Sequence, residues 1–406
     1  MSEAAAGDPS LTGQPVRRVS CAGAELTLLG TAHVSASSAR AVERLLASGD
    51  YQAVALELCE SRHASLTDPD SVARMDLFRV IREGRAGMVA AGLALGAFQQ
   101  RLAEQFGIRP GAEMLAALQQ ARRQDMPVLL IDRELGVTLA RLRASLPWWR
   151  RPALLTGLAM SVFSSARVEE SEIERLKQGD MLESVFSEFA SRSEGLYRTL
   201  ITERDRFMAA RLVREIAARG LQRVLVVVGA GHLAGLTAAL EDPPAAPGVE
   251  LERLARVPPR RRWPRYLAWA VVGAVLAGFG AGFARSPGVG WAMVVDWVLI
   301  NGVLCALGAA LALAHPLTVL GSFVAAPLTS LNPTIGAGFV SAAIELSLRR
   351  PRVGDFARLR NDVARPGGWW RNRVARTLLV FLFSTVGSAL GTWLAGVRIA
   401  GRLLGH

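Results

Sequence analysis

The run RVLVVVGAGH, residues 223–232, decides the fold. Its first six residues are almost wholly aliphatic and show no polar alternation, the signature of a strand buried on both faces. It stops at Gly229-Ala230-Gly231, a small-residue turn that delivers His232 past the strand end. A strand covered on both faces needs helices above and below it, which predicts a mainly parallel sheet in an α/β domain. Working outward, Ala24–Leu29 (AELTLL), Ala53–Leu58 (AVALEL) and Pro127–Ile131 (PVLLI) read as further strands of the same kind. Helical patterns separate them, and Val249–Leu254 reads as a final edge strand. Polar residues at the carboxyl ends of such strands converge on one crevice.

The chain of 406 residues has room for more than this domain. Residues 1–15 read as a disordered tail without a signal peptide, and 16–255 as the α/β domain. Residues 256–265 form a basic linker and 266–406 a helical membrane module. Lys and Arg number 30 against 31 Asp and Glu over 1–255, but 17 against 4 over 256–406, so the net charge of +12 belongs to the second part. Those arginines flank long apolar runs, the pattern of positive-inside loops, which argues for a lipid bilayer as partner and against a nucleic acid. The three cysteines, Cys21, Cys59 and Cys305, have neither disulfide nor zinc-finger spacing. A single lysine, Lys177, among many arginines and alanines suggests a GC-rich, bacterial genome.

Four apolar segments cover about 266–284, 291–314, 317–348 and 377–397. The third is too long for one crossing and short for two, and Asn332-Pro333 interrupts it. A helix broken inside a membrane is tolerated where it is buried in protein or lines a watery cavity. Arginines before the first span and after the third place both on one side if the third segment turns back on itself, as a hairpin or re-entrant loop. That puts the α/β domain in the cytoplasm, on a multi-pass inner-membrane protein. Gly278-Phe279-Gly280-Ala281-Gly282 suits close helix packing and a homodimer. A helical stretch over residues 70–106 has an Ala/Gly-rich middle too short to span, and reads as a buried helix or contact face.

Two segments share the form Gly-x-x-His directly after a strand, Gly30-Thr31-Ala32-His33 and Gly229-Ala230-Gly231-His232. Such turns let two imidazoles face each other across a metal or substrate; the competing reading is that each His caps the next helix. Glu57 stands inside an apolar strand, where a carboxylate needs a metal, a substrate proton or an Arg partner. Arg62 lies five residues on, in position to orient Glu57 or bind a substrate carboxylate. Asp132-Arg133-Glu134 and Glu203-Arg204-Asp205-Arg206 are charged clusters that serve equally as solvated helix starts. Two histidines with one or two carboxylates compose a hydrolytic metal site. No HExxH pattern occurs.

Five ordered motifs, GTAHVS (30–35), ALELCESR (55–62), IDRELGVTLAR (131–141), ERDRFMAARL (203–212) and GAGHLAGL (229–236), make the chain resemble the TraB/PrgY family. That family is related to the Tiki-type metalloproteases and to the erythromycin-esterase and ChaN-like fold. The stretch HPLTVLGSFVAAPLTSLNPTIGAGF (315–339) is similar to the membrane region of its prokaryotic members. The resemblance implies a divalent-metal-dependent hydrolase, with Mn, Co or Zn as the ion and peptides as substrates. His33, His232 and Glu57 would hold the ion, and Glu57, Arg62, Glu203 and Arg204 would be the site acids and arginines. Two other functions compete. One is a peptide-binding receptor without turnover; the other is a channel or transporter suggested by Asp296, Asn301, His315 and Glu345 within apolar runs.

Overall fold

A computed structural model describes residues 14–31, 36–67, 76–83, 86–87, 89–90, 92–94, 96–97, 111–145, 194–258, 263–332 and 334–404. The chain divides into two compact units, Met1–Pro69 with Phe98–Pro259, and Asp70–Ala97 with Arg260–His406. Much of the Ala/Gly-rich stretch groups with the second unit, where Ala86, Ala90 and Ala94 keep a helical spacing and are buried.

The first unit is built on five strands, β1 (Val16–Cys21), β2 (Ala24–Thr31), β3 (Ala53–Leu56), β4 (Val128–Leu130) and β5 (Arg223–Gly229). Their order is β1-β2-β5-β3-β4. All neighbours are parallel except β1, which runs antiparallel to β2. Among the described residues the helices of this unit are α1 (Ala36–Ala47), α2 (Glu60–Thr67), α4 (Ala112–Arg123), α5 (Leu135–Ser145), α6 (Glu194–Tyr197), α7 (Glu203–Arg219), α8 (Ala230–Glu241) and α9 (Pro247–Ala255). The short α3 (Leu77–Arg82) belongs to the second unit.

Period-two alternation sends Val224, Val226 and Val228 to one face, onto Met208, Leu212 and Ile216 of α7 and Leu236 and Leu240 of α8. Leu225 and Val227 go to the other, onto Val42 and Leu46 of α1 and Met114, Ala117 and Ala121 of α4. Both faces are thus dry, as the unbroken apolar run requires.

One sequence expectation needs correction. Val249–Leu254 is not an edge strand but most of α9. Pro247 starts that helix, and Leu251 and Leu254, three apart, are its buried residues. The edge is instead held by β1, adjoining the stretch read as a tail. Ala22 (φ 53°) and Gly23 (φ 80°) form a two-residue turn with both φ positive, which matches the twist of a hairpin and lets β1 fold back on β2.

The second unit contains α10 (Trp263–Arg285), α11 (Pro287–Leu311), α12 (Pro316–Thr329), α13 (Ala337–Leu348), α14 (Val353–Val363), α15 (Gly368–Arg371) and α16 (Arg373–Leu404). Among the described residues three helices are long and apolar enough to cross a membrane: Tyr266–Arg285, Pro287–Leu311 and Arg373–Leu404. The third apolar segment is broken between α12 and α13, each shorter than the ~20 residues a crossing needs; Pro333 lies outside the described residues. α11 and α16 pack closely because Gly308, Gly387 and Gly391 bring backbone against backbone.

The polar residues noted inside the apolar runs join helices to each other. Asp296 pairs with Arg402 (2.5 Å) and Arg398 (3.4 Å). Asn301 accepts from Ser330 and Thr392. Glu345 accepts from Thr318 and from the backbone N–H of His315, with Arg349 at 3.4 Å.

Candidate active site

Among the described residues, β3, β4 and β5 each hand an ionisable side chain to the same edge. Glu57 follows β3 directly, and its backbone N–H still bonds Val227 of β5 (3.1 Å). Its carboxylate then takes the N–H of Gly229, Oε2 accepting at 2.7 Å. Asp132 lies two residues past β4, its N–H on the carbonyl of Leu58. His232 stands in the first turn of α8, just past β5. Glu57, Asp132, Asp205 and His232 are all buried.

The centre of the cluster is Arg204, from the first turn of α7. Its Nε and Nη2 donate to the two carboxylate oxygens of Asp132, both at 2.9 Å. Nη2 also donates to Glu57 Oε1 (2.5 Å), and Nη1 reaches His232 Nε2 (2.9 Å). A guanidinium can only donate, so Nε2 of His232 is the acceptor and its proton is on Nδ1. That proton points at Asp205 Oδ1, 2.6 Å away. Burial works against the charge of Arg204, but the facing Glu57 and Asp132 outweigh it and hold the guanidinium more firmly protonated than usual. Burial raises the Asp205 carboxyl above its ordinary value, and the His232 hydrogen bond offsets this in part.

The approach of Asp205 to His232 depends on Gly235, one turn along α8. A Cβ there would run into the Asp205 carboxylate. Gly30 serves the opposite side: a Cβ on it would press on Pro15 and on the backbone of Ala230.

Arg62, on α2, is at the rim. Its side chain is 40% exposed, with one long bond to the carbonyl of Glu57 (3.4 Å) and Asp132 at 3.9 Å. Glu203 precedes Arg204 but points elsewhere, because adjacent residues on a helix diverge by about 100°. Arg133 Nη1 donates to its Oε2 (2.9 Å), and Arg141 grips both oxygens (2.7 and 2.9 Å). Burial would raise the Glu203 carboxyl, but the Arg141 and Arg133 hydrogen bonds overcome it and hold it below the usual range.

Arg133 is fully buried and spends its remaining N–H groups on Thr138, the carbonyl of Thr199 and that of Leu254. Arg141 continues to the carbonyl of Arg256 (2.7 Å). Thr199 belongs to a π-helical turn, Arg198–Thr202, directly before α7. Arg133 supplies a donor to a carbonyl of that irregular turn, and the turn sets the rotation at which Glu203 and Arg204 leave it. Glu134 binds the hydroxyl (2.7 Å) and N–H (3.3 Å) of Ser61 at the start of α2.

Of the residues singled out in the sequence, Glu57, Arg62, Arg204 and His232 thus come together, and Glu203 joins a neighbouring arginine knot. His33 lies outside the described residues. Sequence reasoning missed Asp205 as the partner of His232 and gave Asp132 no role of its own.

Whether these residues suit a divalent ion can be tested on their donors. Among the described residues no group of three or more His, Cys, Asp or Glu is placed to hold one. They do offer a facing pair, His232 Nε2 and Glu57 Oε1, 3.5 Å apart. Imidazole and carboxylate are ordinary ligands for such an ion, and an Asp on Nδ1 is the usual outer support of a ligating His. The donor chemistry fits.

A sequence profile of the TraB/PrgY/gumN family matches residues 15–243, and one of the TraB family protein C-terminal domain matches 263–404. An uncharacterized protein of Methanocaldococcus jannaschii is 28% identical over 376 residues, covering 91% of this chain and 93% of its own. TraB domain-containing proteins of Bos taurus (28% identical, 64% of this chain and 73% of theirs) and Homo sapiens (29%, 56% and 66%) are also similar. The chain belongs to the TraB/PrgY/gumN family.

Proposed function

We propose that the chain is a membrane-anchored hydrolase of peptide bonds in small or signal peptides, working at the Glu57–Asp132–Arg204–His232 cluster. The observation that carries this reading is the buried Asp205–His232 pair, whose Nε2 faces the Glu57 carboxylate and the Arg204 guanidinium at the carboxyl edge of a parallel sheet. An imidazole held by a carboxylate and aimed at a second buried acid is an arrangement suited to proton transfer or to holding an ion, and a structural core does not need it.

His232, Glu57 and, from outside the described residues, His33 would hold a divalent metal such as Mn, Co or Zn. When bound, that ion supplies Lewis acidity to a substrate carbonyl and acidifies a water. The chain's own groups do the rest. Gly229 N–H fixes Oε2 of Glu57, leaving Oε1 directed inward. Asp132, with both oxygens on Arg204, keeps that arginine at the site, and Glu57 takes a proton from the attacking water and returns it to the leaving amine as the C–N bond breaks. Arg62, half-buried at the rim, receives a substrate carboxylate. Glu203, with both oxygens on arginines, positions Arg204 and does not touch substrate.

The three long apolar helices supply the anchor. The asymmetry of arginines favours a multi-pass bacterial inner-membrane protein with the first unit in the cytoplasm, and glycine-rich α10 favours a homodimer. The α12–α13 break favours a segment that turns back within the bilayer. The test is cleavage of a synthetic peptide pool by the full chain, followed by mass spectrometry. The wild type should generate fragments, and Glu57→Gln with His232→Ala should reduce them by at least 100-fold. Equal cleavage by the double variant would refute the assignment.

A further inference from the structure

The donors that suit a metal are already facing a cation of the protein's own. Arg204 Nη2 lies 2.5 Å from Glu57 Oε1 and Nη1 lies 2.9 Å from His232 Nε2, so one guanidinium engages both atoms of the candidate pair. Two ligands that each lie about 2.0–2.2 Å from one ion stand roughly 3–3.5 Å from each other, and these two atoms are 3.5 Å apart. Their spacing thus suits a shared ion, while the arginine uses the lone pairs that such an ion would need.

The charge balance explains why. Glu57 and Asp132 are buried carboxylates, and together they face one guanidinium at bonding distance. Without a cation between them they would repel each other in a poorly solvated place. We infer that Arg204 is a placeholder cation: it neutralises Glu57 and Asp132 in the metal-free protein and must release Glu57 and His232 before a divalent ion can bind. Metal and arginine then compete, and Arg204 sets the affinity of the site. Asp132 gives the arginine somewhere to stay, because its two-point grip through Nε and Nη2 does not involve the metal donors.

The inference rests on the metal reading proposed above, and one experiment separates their failures. Mn²⁺ and Zn²⁺ are titrated calorimetrically into the full chain in detergent, and thermal unfolding is followed with and without the ion. Arg204→Met should bind at least 10-fold more tightly than the wild type. Its melting temperature should be lower without metal and should rise more on adding it. Arg204→Lys, which keeps the charge but not the fork, should fall between the two and serves if the Met variant does not fold. Adding His232→Ala should abolish the gain. Equal affinity in wild type and both Arg204 variants, lost on His232→Ala, would overturn the placeholder and leave the metal site standing. No binding in any variant would overturn both.

Discussion

Glu203 and Arg204 show how much one step along a helix decides. Both stand in the charged run ERDR, and their side chains part to different clusters: Arg204 to the strand-end acids, Glu203 to Arg133 and Arg141. Glu57 and His232 were legible from the sequence, because a carboxylate in an apolar strand and a histidine after a small-residue turn are rarely idle, whereas Arg204 was singled out only through the family resemblance. Asp132 obeys the same strand-end rule and could have been read with them. Asp205 could not, since only the packing of α7 on α8 shows which of four adjacent charges meets His232. The Glu203 knot carries its own prediction. Its carboxyl is held below the ordinary value by the two arginines, so its stabilising contribution is complete above the unfolded value of about 4.3. It disappears as pH falls through the lowered folded value. Chemical denaturation of Glu203→Gln should show a stability loss of about 3–5 kcal/mol at neutral pH, because the buried Arg133 loses its counter-charge. The loss should shrink below pH 4, whereas a pH-independent deficit would show that the carboxylate's charge is not what matters.

Among the elements, the strands with continuous apolar runs were the easy part, since burial on both faces leaves no other reading of RVLVVV. The edges were harder. VELERL permits a strand by composition, and only the buried pair Leu251 and Leu254 shows the helical period of α9. VRRVSC is half exposed and joined to β2 by an unremarkable Ala-Gly turn, so its pairing is evident only with β2 in place. The contact of α7 with α8 supports the site through Gly235, where no side chain fits beside Asp205. Gly235→Ala should push Asp205 off His232 with little change in helix content. Circular dichroism should therefore stay near wild type while peptide cleavage falls at least 10-fold. Full activity in that variant would show that the Asp205–His232 bond is not needed.

At the scale of the whole molecule, the basic excess and the buried site belong to different units. The arginines that give the chain its charge lie mostly in the second unit, beside the long apolar helices, while the first unit is close to neutral and holds a buried charged cluster at one sheet edge. The broken third segment was legible from its length and the Asn332-Pro333 pair. The grouping of residues 70–97 with the second unit was not, because an Ala/Gly-rich helix reads the same whichever partner covers it. What distinguishes a hydrolase from a receptor is turnover with water as a reactant. The most direct test is incubation of the full chain with a peptide pool in ¹⁸O-labelled water, with product masses read afterwards. A hydrolase releases shorter peptides carrying the heavy oxygen in their new carboxylates. Peptides that bind saturably and are recovered intact, with no label, would contradict the hydrolase reading.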